Sequence, residues 1–244
     1  MRLTRFIARQ TRVRPARVAG HRPVASITFD DFPKSAWETA GPILAHFKAR
    51  GTYYTAGTFC GRTVNGTQFY DEGDLRALSA DGHEIACHGF GHQPTPTLTD
   101  SELEADRNRN ADFLAPFLGG KKLESYAYPY GASSVRTKKF YAPHFSNLRG
   151  VHPGIIEGKV DLAQLNAISL EMRSFSREKL VAAIATAKAN NGWISFYTHG
   201  VSDNPSEYDS TPAILTQALQ AVTDAGIEIL PMREAISAAL APLQ

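Results

Sequence analysis

Three histidines lie within the ten residues HEIACHGFGH, at positions 83, 88 and 92. His88 and His92 are four residues apart, and the glycines at 89 and 91 favour a closely bent loop. Two imidazoles at this spacing, on a helix or in a tight loop, can bind the same metal ion. We therefore predict that His88 and His92 are metal ligands and that His83 has a structural role.

Two adjacent carboxylates, Asp30 and Asp31, follow the apolar stretch VASITF at residues 24–29. Neighbouring residues within a strand point to opposite faces, but a bend at the strand end can bring both to one site in different roles. Two imidazoles and one carboxylate suit Zn²⁺ with a bound water, and also Co²⁺, Ni²⁺ or Fe²⁺. A second carboxylate could then act as general base and a separate histidine as general acid.

These residues need a scaffold, and strand-like segments alternate with helix-like segments from residue 24 onward. Such alternation predicts βαβ units and a parallel sheet, and the length favours a barrel over an open sheet. In barrels of this kind the chemistry lies at the C-terminal ends of the strands. The polar residues that directly follow predicted strands are Asp30, Asp31, His88, His92, Tyr130 and His199.

Helix ends can also be predicted from short patterns. SAWE, with Ser35 as N-cap, and TDSE, with Thr99 as N-cap, both have the form of a capping box. Pro212 stands where a first helical turn is expected.

The composition favours one large core. The chain has 244 residues, 43% of them hydrophobic, and no linker divides it, so we predict one domain over residues 23–244. A net charge of +2 argues against nucleic acid as a partner. Two cysteines do not make a disulfide framework.

Residues 1–22 form a separate basic arm with seven arginines and no acid. We expect a solvated arm; the alternatives are contact with anionic lipid or another polyanion, and packing against the domain or a partner subunit. Leu3, Phe6 and Ile7 could share one helix face, which would favour a peripheral membrane contact. They form no continuous apolar region of a secretory signal, so a cytoplasmic location, at the inner face of the membrane if the arm binds lipid, is predicted.

Four stretches, in this order, carry a resemblance to a known family: TFDD (28–31), HGFGH (88–92), YAYPYG (126–131) and ISFYTHG (194–200). Together they resemble the polysaccharide deacetylases of carbohydrate esterase family 4, the NodB-homology domain. The resemblance covers about residues 24–235 and implies a distorted (β/α)₇ barrel that removes N-acetyl groups from sugar residues.

The resemblance also implies a role for each matching residue. Asp31, His88 and His92 would hold a divalent metal, with Zn²⁺ the first choice, and Asp30 would be the base that activates water.

The last two stretches would complete the site. The backbone N–H of Tyr130 would help to stabilise the oxyanion, His199 would protonate the departing amine, and Pro129 and Tyr130 would contact the substrate. Trp193, among other aromatic residues, is a candidate for lining a sugar groove.

One position departs from the pattern common in the family. Many members carry an arginine two residues before the proline of the third stretch, where it pairs with the catalytic aspartate, and here that position is Ala127. Arg173, after AISLEM (167–172), is predicted to replace it. The usual aspartate and tryptophan of the family's fourth motif are not recognisable.

The predicted substrate is an N-acetylated poly- or oligosaccharide. A cytoplasmic enzyme would meet an exopolysaccharide or its lipid-linked precursor rather than mature cell wall or external chitin. The alternatives are a deformylase or deacetylase of a lipid-linked amino sugar, and a non-catalytic glycan-binding scaffold that keeps the metal site. The oligomeric state cannot be read from the sequence.

Overall fold

A curled parallel β-sheet forms the centre of the computed structural model, which describes residues 2–18 and 20–240. The strands are β1 Pro15–Arg17, β2 Val24–Asp30, β3 Thr52–Thr55, β4 Thr63–Val64, β5 Thr67–Gln68, β6 Glu84–Cys87, β7 Ser125–Ala127, β8 Asn147–Arg149, β9 Lys159–Asp161, β10 Ile168–Ser169, β11 Trp193–Thr198 and β12 Glu228–Ile229. In the main sheet the strand order is β10-β11-β2-β3-β6-β7-β8, with β12 also pairing with β2, and every pairing is parallel. The predicted alternation and parallel sheet are confirmed.

Helices cover the outside of this sheet. They are α1 Arg2–Gln10, α2 Ser35–Glu38, α3 Ala40–His46, α4 Glu72–Ala80, α5 Asp100–Leu114, α6 Val135–Tyr141, α7 Arg177–Asn190, α8 Pro212–Asp224 and α9 Met232–Leu240. Apolar side chains of α3, α4 and α8, among them Leu44, Leu75 and Leu219, pack with Ile27 and Phe29 of β2 in the largest core cluster. All seven residues of β2 are buried, because a parallel sheet covered by other elements buries both faces of its central strands.

Two of the three predicted helix starts are confirmed. Thr99 caps α5 with a reciprocal bond to Glu102, and Pro212 opens α8. Ser35 does not cap α2, because it is already the first helical residue and its Oγ accepts a hydrogen bond from the N–H of Val201. The hydroxyl therefore fixes the loop after β11 rather than the helix.

Strand register brings the predicted site residues to one edge of the sheet. β11 pairs with β2 from Trp193 opposite Val24 to Thr198 opposite Phe29, so His199 follows beside Asp30. β6 pairs with β3, and the N–H of His88 continues that ladder by donating to Thr55 O. The C-terminal ends of these strands therefore meet, as barrels require.

The N-terminal segment packs on the domain. Helix α1 contacts α6, β1 pairs antiparallel with β9, and Ala8 is fully buried. The buried ammonium of Lys138 donates to Ala8 O at 2.6 Å and to Thr11 O at 2.7 Å, and pairs with Asp161. The expectation of a solvated arm is therefore wrong, because these contacts make residues 4–18 part of the domain.

Two of the apolar arm residues, Phe6 and Ile7, are exposed. Met1, the side chain of Leu3, Ala19 and residues 241–244 lie outside the described part of the chain. Within residues 2–18 and 20–240, no helix has the length and apolar character that crossing a bilayer requires.

Candidate active site

Asp31, His88 and His92 come together at the C-terminal edge of the sheet. The Nε2 atoms of His88 and His92 lie 3.2 and 2.9 Å from Asp31 Oδ1, and one ligand atom from each of the three residues lies within 4.8 Å of the others. This is the donor set that a divalent transition metal such as zinc prefers.

Local backbone geometry places this trio. Strand β2 ends at Asp30, and Asp31 has a left-handed φ of 62°, so the chain turns and Asp31 leaves the strand direction taken by its neighbour. His92 also has a positive φ, 49°. Non-glycine residues in this region are uncommon and are often found at functional sites.

The imidazole of His88 is fixed by a hydrogen bond at Nδ1, the ring nitrogen that does not face Asp31. Its Nδ1 lies 2.8 Å from the carbonyl oxygen of Ala127, so Nδ1 carries the proton and Nε2 presents a lone pair to Asp31. Asp31 Oδ1 is buried and, among the described residues, accepts no hydrogen bond. An unpaired carboxylate oxygen facing ring nitrogens is costly without a cation, so the three residues fit a metal.

The loop between the two histidines is held by an acid that the sequence analysis did not single out. Asp106 of α5 accepts hydrogen bonds from the N–H groups of Phe90 at 2.9 Å and Gly91 at 2.7 Å. Gly89 has a φ of 71°, and a Cβ there would lie 2.6 Å from Asp106 Oδ2. Asp106 therefore fixes the path that brings His92 towards Asp31.

Asp30, the last residue of β2, pairs with Arg149. Arg149 is the last residue of β8, and its guanidinium contacts Asp30 Oδ1. The side chains of Arg149 and Asp30 are only 1% and 6% exposed. Arg149 also donates to Gly150 O at 3.0 Å and lies against the rings of Tyr54 and Tyr197. Burial acts to lower the pKa of Arg149, but the charge of Asp30 raises it above its usual value.

The prediction that Arg173 pairs with Asp30 is wrong. Arg173 lies after β10, where its Nε donates to Glu171 at 2.9 Å and its guanidinium stacks 4.1 Å above the ring of Tyr208. Curling of the sheet brings β8 towards β2, so Arg149 reaches Asp30 across the mouth of the barrel.

His199 lies beside Asp31 and is held by Glu171. Its Nδ1 is 3.2 Å from both Glu171 Oε1 and Tyr208 O, and its Nε2 is 3.9 Å from Asp31 Oδ2. Burial acts to lower the pKa of His199, but Glu171, Asp31 and Asp30 raise it to about 9. The ring is therefore poised to carry a proton near neutral pH.

A single helical turn, Pro129–Gly131, presents Tyr130 at the site. Tyr130 has a φ of 57°, is 60% exposed, and its ring centroid lies 4.5 Å from that of His92. Pro129 is buried at the start of this turn. The exposed ring of Tyr130 is thus the part of the turn that a ligand can reach.

Trp193 is not part of the site. It opens β11, at the end of the strand opposite His199, is 1% exposed, and its Nε1 donates to Ser26 Oγ at 3.0 Å. The prediction that it contacts a sugar is wrong, because it belongs to the core.

Three residues near the site were missed: Arg149, Glu171 and Asp106. Arg149 ends β8, and Glu171 is the second residue after the two-residue strand β10. The rule that polar residues at strand ends are functional candidates would have found both, had it been applied to every strand. Asp106 lies within α5, and no sequence signal distinguishes it from other helical acids.

Comparison with known proteins supports this architecture. The profile of the family described as "Polysaccharide deacetylase" matches residues 17–144. A chitin deacetylase of Arthroderma benhamiae is 27% identical over 118 residues, which is 48% of this chain and 30% of that protein. The chain therefore matches less than a third of the length of this curated relative.

Solved structures show the same fold. The family 4 carbohydrate esterase of Streptomyces lividans, in complex with acetate, has a TM-score of 0.57 at 17% identity, covering 86% of this chain and 93% of that one. The Xyl-CE4 domain of a xylanase from the hindgut metagenome of Trinervitermes trinervoides has a TM-score of 0.59 at 14% identity, covering 89% and 90%. The predicted distorted (β/α)₇ barrel is thus confirmed, and the chain belongs to the polysaccharide deacetylase family.

Proposed function

We propose that this protein is a metal-dependent hydrolase that removes N-acetyl groups from the sugar residues of a glycan. Membership of a family of hydrolases that act on the N-acetyl amide bonds of polysaccharides supports the reaction class. The single observation that carries the proposal for this chain is the convergence of Asp31, His88 and His92, with Asp30 next to Asp31 in the chain and His199 Nε2 3.9 Å from Asp31 Oδ2.

Asp31, His88 and His92 would hold the cation, which we propose to be Zn²⁺, with Co²⁺, Ni²⁺ or Fe²⁺ as alternatives. Such a cation supplies Lewis acidity, which acidifies water and polarises the amide carbonyl. The hydrogen bond from His88 Nδ1 to Ala127 O keeps the ligating nitrogen deprotonated.

The remaining residues divide the proton transfers. Asp30, whose position is fixed by Arg149, would take the proton from the attacking water as general base. His199, held by Glu171 and protonated near neutral pH, would give its proton to the departing amine nitrogen. The carboxylates beside His199 favour its protonated form, which suits a group that gives up a proton.

The turn at Tyr130 would orient the substrate. We propose that its backbone N–H donates to the oxygen that becomes negative in the transition state, where preorganised dipoles are most effective. The exposed Tyr130 ring offers an apolar face to a sugar, and buried Pro129 fixes the turn that carries it. An exopolysaccharide or its lipid-linked precursor is the substrate that we predict.

The test is acetate release from N-acetylglucosamine oligomers and lipid-linked N-acetylated saccharides, before and after treatment with a chelator. We expect release that the chelator abolishes and added Zn²⁺ restores. In Asp30→Asn, turnover should fall by about 10²–10⁴-fold while the bound zinc, measured by elemental analysis, stays unchanged.

Asp112→Asn is the matched control, because Asp112 is an exposed acid of α5. It should behave like the wild type. A wild-type protein that binds zinc and glycan but releases no acetate would contradict the proposal and favour a non-catalytic glycan-binding scaffold.

A further inference from the structure

A cavity of about 220 Å³ lies between α1 and the loops that border the candidate active site. The N-terminal side of the cavity is lined by Arg5 and Arg9, and the other side by Gly131, Val151 and His152. Two of the seven arginines of the predicted basic arm thus line a cavity in the domain.

The position of the cavity links it to the site. Gly131 directly follows Tyr130, whose ring lies against His92, and Val151 is two residues after Arg149, the partner of Asp30. Gly131 has a φ of 58°, and a Cβ there would lie 2.3 Å from Val151 Cγ2. A side chain at position 131 would therefore collide with the opposite wall, and glycine keeps this edge of the cavity open.

Within the described part of the chain, the lining of the cavity carries the positive charges of Arg5 and Arg9 and no carboxylate. Arg5 and Arg9 are four residues apart on α1 and so lie on one face of the helix. Among residues 2–18 and 20–240, no carboxylate lies within ion-pair distance of either guanidinium. Asp161, on the same side of the domain, is already paired with Lys138. Two cations thus line one cavity without a protein anion between them.

The Arg9 guanidinium is also held in place. Arg9 Nη1 donates to His152 Nδ1 at 3.0 Å, and Arg9 Nε reaches Arg5 O at 3.4 Å. Lys138 fixes the end of α1 by donating to Ala8 O and Thr11 O. Arginines on an anchored helix, one of them with a bonded guanidinium, lose less conformational entropy on binding than arginines on a free arm would.

We propose that Arg5 and Arg9 form a subsite for an anionic group of the glycan, a carboxylate or a phosphate on a unit next to the sugar that is deacetylated. The proposal rests on the proposed function, because the cavity is a subsite only if a glycan occupies the neighbouring centre. Guanidinium groups match the paired oxygens of both anions in a bidentate geometry. The substrate class is therefore an acidic glycan, or one still joined to a phosphate-bearing carrier.

The experiment compares kcat/KM for three soluble substrates at low salt and in 0.5 M NaCl. They are a neutral N-acetylglucosamine tetramer, an oligosaccharide that alternates N-acetylglucosamine with glucuronic acid, and a nucleoside-diphosphate N-acetylglucosamine. The wild type should prefer at least one anionic substrate over the neutral one by about 10-fold at low salt, and salt should reduce the preference.

The variant that tests the subsite is Arg5→Gln with Arg9→Gln. It should lose the preference and keep the kcat/KM of the neutral tetramer. Arg12→Gln is the control, because Arg12 is an exposed arginine of the same segment that does not line the cavity. It should behave like the wild type. Loss confined to the glucuronate substrate would identify a sugar carboxylate as the ligand, and loss confined to the diphosphate would identify a phosphate.

Three results would overturn the subsite: no anionic preference in the wild type, an equal loss on neutral and anionic substrates in the double variant, or an equal loss in Arg12→Gln. If the wild type released acetate neither from these substrates nor from the lipid-linked saccharides of the first test, the proposed function would fail, and calorimetric titration with the same anionic compounds would decide the subsite. Weaker anion binding by the double variant than by Arg12→Gln would support it, and equal binding would reject it.

Discussion

Arg149→Met removes the charge partner of Asp30 while keeping much of the apolar volume of a buried side chain. The two groups form an ion pair inside the protein, with side-chain exposures of only 1% and 6%. Without Arg149, the Asp30 carboxylate would stay buried with no opposite charge. The free-energy cost of removing the Asp30 carboxylate from water would then no longer be offset by its attraction to Arg149.

The expected loss of unfolding free energy is about 3–5 kcal/mol, the range found when one partner of a buried pair is removed. Asp30→Asn combined with Arg149→Met should lose less than the sum of the two single changes, with a coupling energy of about 0.5–3 kcal/mol. Because Arg149 also fixes the position of the proposed base, kcat/KM in Arg149→Met should fall by about 10²-fold or more.

Urea unfolding of the four proteins of this cycle gives the free energies, and acetate release gives kcat/KM. Arg22→Met is the matched control, since Arg22 forms an exposed ion pair with Glu228 whose side chains are 65% and 43% exposed. It should cost no more than about 1 kcal/mol and leave turnover unchanged. If Arg149→Met were as stable and as active as Arg22→Met, Arg149 would not be the group that positions Asp30.

The other predictions concern the histidines and the metal. Glu171→Gln removes a charge that raises the pKa of His199, so the alkaline limb of the kcat profile, where His199 loses its proton, should move to lower pH; an unmoved limb would mean that His199 is not the acid. Asp106→Ala removes the hydrogen bonds that hold the loop between His88 and His92, so a competition titration should show zinc binding weakened by about 10–100-fold. Asp112→Ala is the control, and equal zinc affinity of the two variants would contradict the role of Asp106. Zinc at about 100 times its dissociation constant should raise the unfolding free energy by about 2.7 kcal/mol in the wild type, and an equal gain in a His88→Ala variant would place the metal elsewhere.

Local patterns predicted those elements whose structure depends on neighbouring residues. TDSE forms the expected capping box at Thr99, because all of its hydrogen bonds lie within one turn. SAWE has the same pattern, yet the hydroxyl of Ser35 bonds to Val201, far away in the chain. A capping-box pattern indicates which hydrogen bonds are possible, but which of them form also depends on tertiary contacts.

The same distinction applies to the candidate site. The geometry of Asp31, His88 and His92 follows from short stretches at strand ends, and the structure brings the three together. The arginine beside Asp30 depends on how far the sheet curls, since β8 lies at the far end of the strand order, and no spacing in the sequence encodes that distance. The prediction for Trp193 was wrong for a simpler reason. Trp193 is the first residue of β11, and the length of a strand does not indicate whether the ring of its first residue is buried in the core.

The attachment of the N-terminal segment has a consequence for how the chain is made. The N–H groups of Val13 and Arg14 donate to Asp161, nearly 150 residues later, at 3.1 and 2.8 Å. This segment is synthesised before β9 and therefore docks only after β9 has been made, because contacts between distant residues require closure of a long loop. Until then Phe6 and Ile7 are on an unanchored segment, and refolding should show a late phase that reports on the docking of α1.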